Sequence, residues 1–161
     1  MRVTWELGAE TAGRARWVCA LALGALAWTL AGCDPGAPPR ELRVLMVGNS
    51  LTYTHDLPGT LQRMLARAGW TARVEPLAFP NFGLQDHWAQ GQAARRIAAG
   101  VWAVVVLQQV PSATEGRPSL LDYAARFAEV VRAAGARPAL YMVWPAAVRA
   151  FDFDGVSDAY R

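Results

Sequence analysis

The apolar run LRVLMVG ends in Gly48, and Asn49 and Ser50 follow it just before a predicted helix. A serine hydroxyl at such a point can attack an ester carbonyl, and the N–H of Ser50 can point outward as a donor to the oxyanion that forms. Gly48 permits the tight turn that exposes the hydroxyl. A turn serine without chemistry explains the same three residues, so the rest of the chain must distinguish the two interpretations.

Apolar runs alternate with amphipathic stretches and predict the element order β-α-β-α-β-α-β. Strands are predicted within residues 42–48, 71–79, 101–109 and 138–145, and helices within 57–68, 85–99 and 120–134. Pro76 indicates that the second strand lies at a sheet edge or is broken. This alternation is typical of a parallel sheet with helices on both faces, a three-layer α/β/α fold. Ligands bind such sheets at the carboxyl ends of the strands.

The polar segments at those predicted strand ends form a recognisable series. VLMVGNSLTY, PLAFPNFGLQDHW, AVVVLQQVPSA and YMVWP occur in this order. Together they resemble the sequence blocks of the SGNH (GDSL-type) hydrolases, in a bacterial secreted or lipoprotein branch, with Asn49 where Asp is more common. The resemblance spans residues 42–161. It implies a flavodoxin-like α/β/α fold and a serine ester hydrolase that uses no cofactor and acts on a small-molecule or carbohydrate ester.

The resemblance also implies roles for individual residues. Ser50 is the expected nucleophile, and the Gly83 backbone N–H and the Gln108 side-chain amide are expected to stabilise the oxyanion. The family usually has Asn where this chain has Gln108 and Gln109. Because strand residues alternate in facing, we expect one of the two glutamines to reach the site and the other to anchor a loop. Asn81 could donate with its side chain in place of Gly83.

A nucleophilic serine also needs a general base. The family takes it from an Asp-x-x-His motif after the last strand, and residues 1–161 contain no such motif. His55, five residues after Ser50, is better explained as a loop histidine, and His87 as a helix-face histidine. Asp86 beside His87 faces another direction on a helix, so the two form no dyad. We therefore expect a chain that is truncated before its base and has little esterase activity. A non-catalytic, lipid-anchored binding protein of the same fold is the alternative.

The first 41 residues predict export. Arg14 and Arg16 precede the apolar run 17–32, and its end, LAGC, resembles a bacterial lipobox. The resemblance implies that residues 1–33 are a lipoprotein-type signal, that cleavage occurs before Cys33, and that the sulfur of Cys33 is lipidated. An uncleaved anchor is the alternative, although the run is shorter than the roughly 20 residues of a spanning helix. Residues 34–41 then form a tether to the cell envelope, outside the cytoplasm.

Composition argues against several other functions. The 16 basic residues, all arginine, are scattered, and the net charge is only +3, so a nucleic-acid interface is not indicated. A flavodoxin-like nucleotide binder is a weaker alternative, because the sequence has no glycine-rich phosphate loop. No His, Cys and carboxylate residues have metal-site spacing. Both cysteines, Cys19 and Cys33, lie in the predicted signal, so the domain has no disulfide.

Overall fold

The computed structural model describes residues 41–112 and 116–161, so Cys33 and the predicted signal lie outside the described residues. Four parallel strands form one sheet in the order β2-β1-β3-β4. The strands are β1 (Leu42–Gly48), β2 (Ala72–Ala78), β3 (Val104–Gln108) and β4 (Arg137–Tyr141). The helices are α1 (Ser50–Tyr53), α2 (Leu57–Arg67), α3 (Leu84–Gln90), α4 (Gln92–Ala99), α5 (Gly116–Ala133) and α6 (Phe153–Ala159), with 3₁₀ segments at Thr54–Asp56 and Ala147–Asp152.

β1 lies between β2 and β3 and is buried on both faces, as its continuous apolar run requires. Leu45 and Val47 face a core that is shared with α3, α4 and α5, whereas Val44 and Met46 face a smaller core under α2. The larger core includes, from the helices, Leu84, Ala93, Ile97, Leu120, Phe127 and Val131. Helices therefore cover both faces of a parallel sheet, and the expected three-layer α/β/α fold is confirmed.

Local sequence signals set the ends of α2. The Asp56 carboxylate accepts the Gly59 N–H at 3.2 Å and caps the helix, and Pro58 lies in its first turn. Gly69, with a φ of 84°, follows the helix in the left-handed conformation that glycine favours. β2 is an edge strand, as Pro76 predicted, because a proline has no N–H to give to a second neighbour.

The single helix predicted over 85–99 is wrong. Gly91 has a φ of 69° and separates α3 from α4, and its N–H bonds to the carbonyls of His87 and Trp88 at 3.2 and 3.1 Å. The apolar periodicity continues across this break, so it does not reveal where a residue without a Cβ turns the chain. β3 and β4 are also shorter than predicted. Trp102, for example, precedes β3 yet is buried, so an apolar run overestimates the length of a strand.

The charged C-terminal segment contains α6. Val156 and Ala159 of this helix are buried, and Ala159 belongs to the larger core. None of the helices within residues 41–112 and 116–161 is both long enough and apolar enough to cross a membrane.

Candidate active site

The Gly48–Asn49 peptide, one residue before Ser50, is held at both its N–H and its carbonyl. The N–H of Asn49 donates to Gln108 Oε1 at 3.0 Å, and the carbonyl oxygen of Gly48 lies 2.8 Å from His87 Nε2. Both partners come from distant parts of the chain, Gln108 from the end of β3 and His87 from α3. The turn at the carboxyl end of β1 is thereby fixed by side chains as well as by its own backbone.

The Asn49 side chain ties this turn to the loop after β2. Its Nδ2 donates to the carbonyl of Phe82 at 2.9 Å, and its Oδ1 accepts the N–H of Leu51 at 3.0 Å and caps α1. The residue is buried, with 3% of its surface exposed. An aspartate carboxylate could cap α1 but has no hydrogen for the Phe82 carbonyl. An asparagine therefore suits this position, because the site needs one donor and one acceptor from the same side chain.

Ser50 is the first residue of α1 and is half-buried. Its carbonyl accepts the N–H of Thr54. Within residues 41–112 and 116–161, neither its hydroxyl nor its N–H has a hydrogen-bond partner. Both groups are therefore available to a substrate at the edge of the sheet where such folds bind ligands.

Gln108 is 1% exposed, and its amide is bonded inside the protein. Oε1 accepts the Asn49 N–H and the Thr52 hydroxyl, both at 3.0 Å, while Nε2 donates to the carbonyl of Gln109 at 2.6 Å. A Cβ on Gly48 would collide with the Thr52 hydroxyl and lie 2.5 Å from Gln108 Oε1. Gln108 thus positions the serine turn in this conformation, and its NH₂ can reach an oxyanion only by exchanging its present partner.

Gln109 has a different set of partners, at the starts of two helices. Its Oε1 accepts the N–H groups of Leu84 and Val110 at 3.2 and 3.0 Å. Its Nε2 donates to the Ser119 hydroxyl at 2.8 Å and to Gln85 Oε1 at 3.2 Å, and the Ser119 hydroxyl donates in turn to Gln85. With 1% of its surface exposed, Gln109 lies where it anchors α3 and α5 to the end of β3.

The loop after β2 contains the other two expected donors. The Gly83 N–H donates to the Asp86 carboxylate at 2.7 Å, within the first turn of α3, so it is already paired. Asn81 is exposed and has a φ of 61°, which places its backbone in the left-handed region that asparagine tolerates better than most residues. Its side chain has no partner among the described residues, so it is the donor in this loop that is open to solvent.

The two histidines occupy opposite environments, and neither is bonded to Ser50. His55 is exposed, and both it and Asp56 have left-handed backbones, with φ values of 60° and 52°. His87 is fully buried, and this burial lowers the pKa of its imidazole below the usual value of 6.5, against opposing effects of the Gly48 bond and Asp86. Neither therefore stands as the general base in this conformation.

The contact of His87 with Gly48 is the part of the site that sequence reasoning missed. His87 follows Leu84 by three residues, and both are buried on one face of α3. That spacing signals that the histidine faces inward. It does not signal the partner, because 39 residues separate His87 from Gly48.

Comparisons with known proteins give information about the fold of the chain. No protein-family model and no curated protein matches the chain. Among solved structures, the crystal structure of TesA is similar, with a TM-score of 0.56 and 22% sequence identity. The similarity covers 73% of this chain and 70% of TesA. The chain therefore shares the fold of TesA, a parallel sheet with helices on both faces, in agreement with the α/β/α fold expected from the sequence.

Proposed function

We propose that this protein is a serine ester hydrolase with Ser50 as its nucleophile. The proposal is carried by the turn after β1, which Gln108 and His87 hold in place. In this turn, the hydroxyl and the N–H of Ser50 have no hydrogen-bond partners among the described residues. Similarity to the fold of TesA supports a hydrolase of this kind. The Ser50 oxygen bonds to the acyl carbon, the alcohol leaves with the serine proton, and water then releases the acid.

The Ser50 N–H is the first donor to the oxyanion, because it belongs to the attacking residue and has no partner among the described residues. A second donor comes from the Asn81 side chain, or from the Gly83 N–H or Gln108 NH₂ after these leave Asp86 and the Gln109 carbonyl. Removing one such donor typically slows an acyl-transfer enzyme by about 10²–10³-fold.

Neither His55 nor His87 is placed to act as the general base in this conformation, and the family resemblance implies an Asp-x-x-His motif for that role. His87 Nε2 is bonded to Gly48, and His55 is exposed without a bond to Ser50. Residues 34–161 alone should therefore acylate slowly, with the residual acceleration that an oxyanion hole and binding provide.

Acylation of residues 34–161 by p-nitrophenyl acetate tests the proposal. We expect slow release of one equivalent of p-nitrophenol, lost in Ser50→Ala and retained in Ser157→Ala, a matched serine on α6. His55→Ala should release nitrophenol at the rate of the unaltered protein. A Ser50→Ala protein that releases nitrophenol as fast as the unaltered protein would exclude Ser50 as nucleophile.

A non-catalytic binding protein of the same fold is the second candidate. The observation that favours it is the pairing of the Gly83 N–H and the Gln108 NH₂ within the protein, which leaves fewer donors for an oxyanion. The same acylation assay distinguishes the two, because a binding protein shows no Ser50-dependent release.

We further propose that the domain is exported and lipid-anchored through Cys33, and that its substrate is an acyl or acetyl ester of a small molecule or a carbohydrate. LAGC and the preceding apolar run support the anchor. Expression of the full chain and of Cys33→Ala tests it. The full chain should partition with membranes and gain the mass of its acyl groups, whereas equal partitioning of both proteins would refute lipidation.

A further inference from the structure

His87 is fully buried, and among the described residues one of its ring nitrogens has a hydrogen-bond partner and the other has none. Its Nε2 lies 2.8 Å from the Gly48 carbonyl oxygen, and a carbonyl only accepts, so Nε2 must carry the hydrogen. Burial lowers the pKa of the imidazole and favours its neutral form, so the ring is the Nε2–H tautomer and Nδ1 is an acceptor. Among the described residues, Nδ1 is buried and has no hydrogen-bond partner.

Aromatic rings fix the position of the imidazole. The ring centroids of Phe79 and Phe82 lie 5.8 and 5.2 Å from that of His87. The N–H of Phe79 also donates to the Gly48 carbonyl, at 3.3 Å. The imidazole therefore has one well-defined orientation, with its N–H directed at the peptide that precedes Asn49.

Stability alone is a poor reason for a histidine here. A buried acceptor without a partner costs about 1–3 kcal/mol, whereas an apolar side chain of similar size would fill the space without that cost. What the histidine supplies is a donor that fixes the direction of the Gly48 carbonyl. Because a peptide unit is planar, fixing this carbonyl also fixes the Asn49 N–H that Gln108 accepts.

We propose that His87 is a positioning residue, which orients the Gly48–Asn49 peptide and thereby places the Ser50 hydroxyl and N–H for reaction. This inference rests on Ser50 being the nucleophile. His87 works as a neutral donor and takes no proton from the serine, since Nε2 is bonded to Gly48 and the acceptor nitrogen, Nδ1, is buried without a bond to Ser50.

Variants of His87 test the inference through the reaction of Ser50 with a serine-reactive phosphonate. His87→Gln retains an amide N–H near the position of Nε2, whereas His87→Met has similar size and no donor. We expect His87→Met to lower the maximal labelling rate constant at Ser50 by about tenfold or more, since small misplacements of reacting groups are costly. The probe concentration for half-maximal rate should stay unchanged, and His87→Gln should restore the rate to within about threefold.

The outcomes separate this inference from the proposed function. If the unaltered protein labels Ser50 no faster than its other serines, the proposed function fails. If Ser50 labels selectively but His87→Met reacts at the unaltered rate, the positioning role is overturned. Should His87→Met fail to fold, His87→Asn replaces it. The Asn side chain is one methylene shorter than that of Gln, so its amide cannot reach the position of Nε2. Ser50 should therefore be labelled slowly in His87→Asn and normally in His87→Gln. Equal labelling rates in the two variants would overturn the positioning role of His87.

Discussion

Gln108 Oε1 accepts the backbone N–H of Asn49 at 3.0 Å, and this bond joins the end of β3 to the turn that carries Ser50. The same oxygen accepts the Thr52 hydroxyl at 3.0 Å. One buried side-chain oxygen therefore fixes both the entry to α1 and its third residue. The main role of Gln108 in this conformation is to hold the turn that carries Ser50 in shape.

Replacing Gln108 by Met should destabilise the protein. The Asn49 N–H and the Thr52 hydroxyl would lose their acceptor while remaining buried, so we expect the free energy of unfolding to fall by about 1–3 kcal/mol. Urea unfolding measures it. Gln90→Met, at an exposed position on α3, is the control and should change little. Equal midpoints for the two variants would show that the Gln108 bonds contribute nothing.

Asn49→Asp should also destabilise the protein, although aspartate is more common at this position in the family that the sequence resembles. At neutral pH the carboxylate would face the Phe82 carbonyl without a hydrogen to share, at a cost of about 1–3 kcal/mol. Below the pKa of the new carboxyl group, protonation supplies a donor and part of the loss should be recovered. Unfolding at pH 7.5 and 4.5 measures both effects relative to the unaltered protein. A variant as stable as the unaltered protein at pH 7.5 would contradict the Asn49 to Phe82 contact.

Gly48→Ala should perturb both stability and reaction at Ser50. The new Cβ would overlap the Thr52 hydroxyl and Gln108 Oε1. The shifts that such overpacking forces typically lower the free energy of unfolding by about 1–3 kcal/mol. Gly135→Ala is the matched control, because its Cβ would meet open space and its cost comes only from a φ of 77°. Both variants should unfold more easily in urea, but only Gly48→Ala should slow phosphonate labelling of Ser50. Unimpaired labelling of Gly48→Ala would contradict the role of this close approach.

Acid should weaken the protein through His87. Burial lowers the pKa of the folded imidazole below 6.5, so the unfolded chain binds a proton more readily as pH falls. The stability due to neutral His87 is therefore present above pH of about 6.5 and is lost below it, at up to about 1.4 kcal/mol per pH unit. Asp86 opposes the shift and makes it smaller.

His87→Gln isolates this effect, because the carboxylates titrate in both proteins. The folded pKa of Glu75, for instance, is lowered chiefly by its hydrogen bond to Arg43, so its contribution is lost at a lower pH. The unfolding free energy of the unaltered protein should fall relative to that of His87→Gln as pH falls from 7 to 5. A difference in unfolding free energy that stays constant from pH 7 to 5 would show that the pKa of His87 is not lowered by folding.

Most elements of this fold follow from local signals in the sequence. The apolar run of β1, the Asp56 cap with Pro58, and the glycines that follow α2 and α5 each depend on neighbours a few residues away. Pro76 correctly predicted an edge strand for the same reason. The break at Gly91 was missed, because the apolar residues keep helical spacing on both sides of it.

The candidate site is less predictable because its contacts join distant segments. Strand alternation suggested that one glutamine faces the site, yet Gln108 and Gln109 are both buried, each bonded to a different set of backbone groups. The chain leaves the strand at Gln108, so alternation no longer fixes the direction of the next side chain. The pairing of His87 with Gly48 depends on how α3 packs against β1, which spacing along the chain does not encode.

The central claim is that Ser50 is a nucleophile, and site-resolved phosphonate labelling tests it most directly. The chain has four serines, Ser50, Ser112, Ser119 and Ser157, so the other three serve as internal controls within one molecule. Incubation of residues 34–161 with the probe, followed by peptide mass spectrometry, gives a rate for each serine. We predict that Ser50 reacts at least about tenfold faster than the other three, because its oxyanion donor accelerates attack even without a base. Labelling spread evenly over the four serines, or unchanged in Ser50→Ala, would contradict the account.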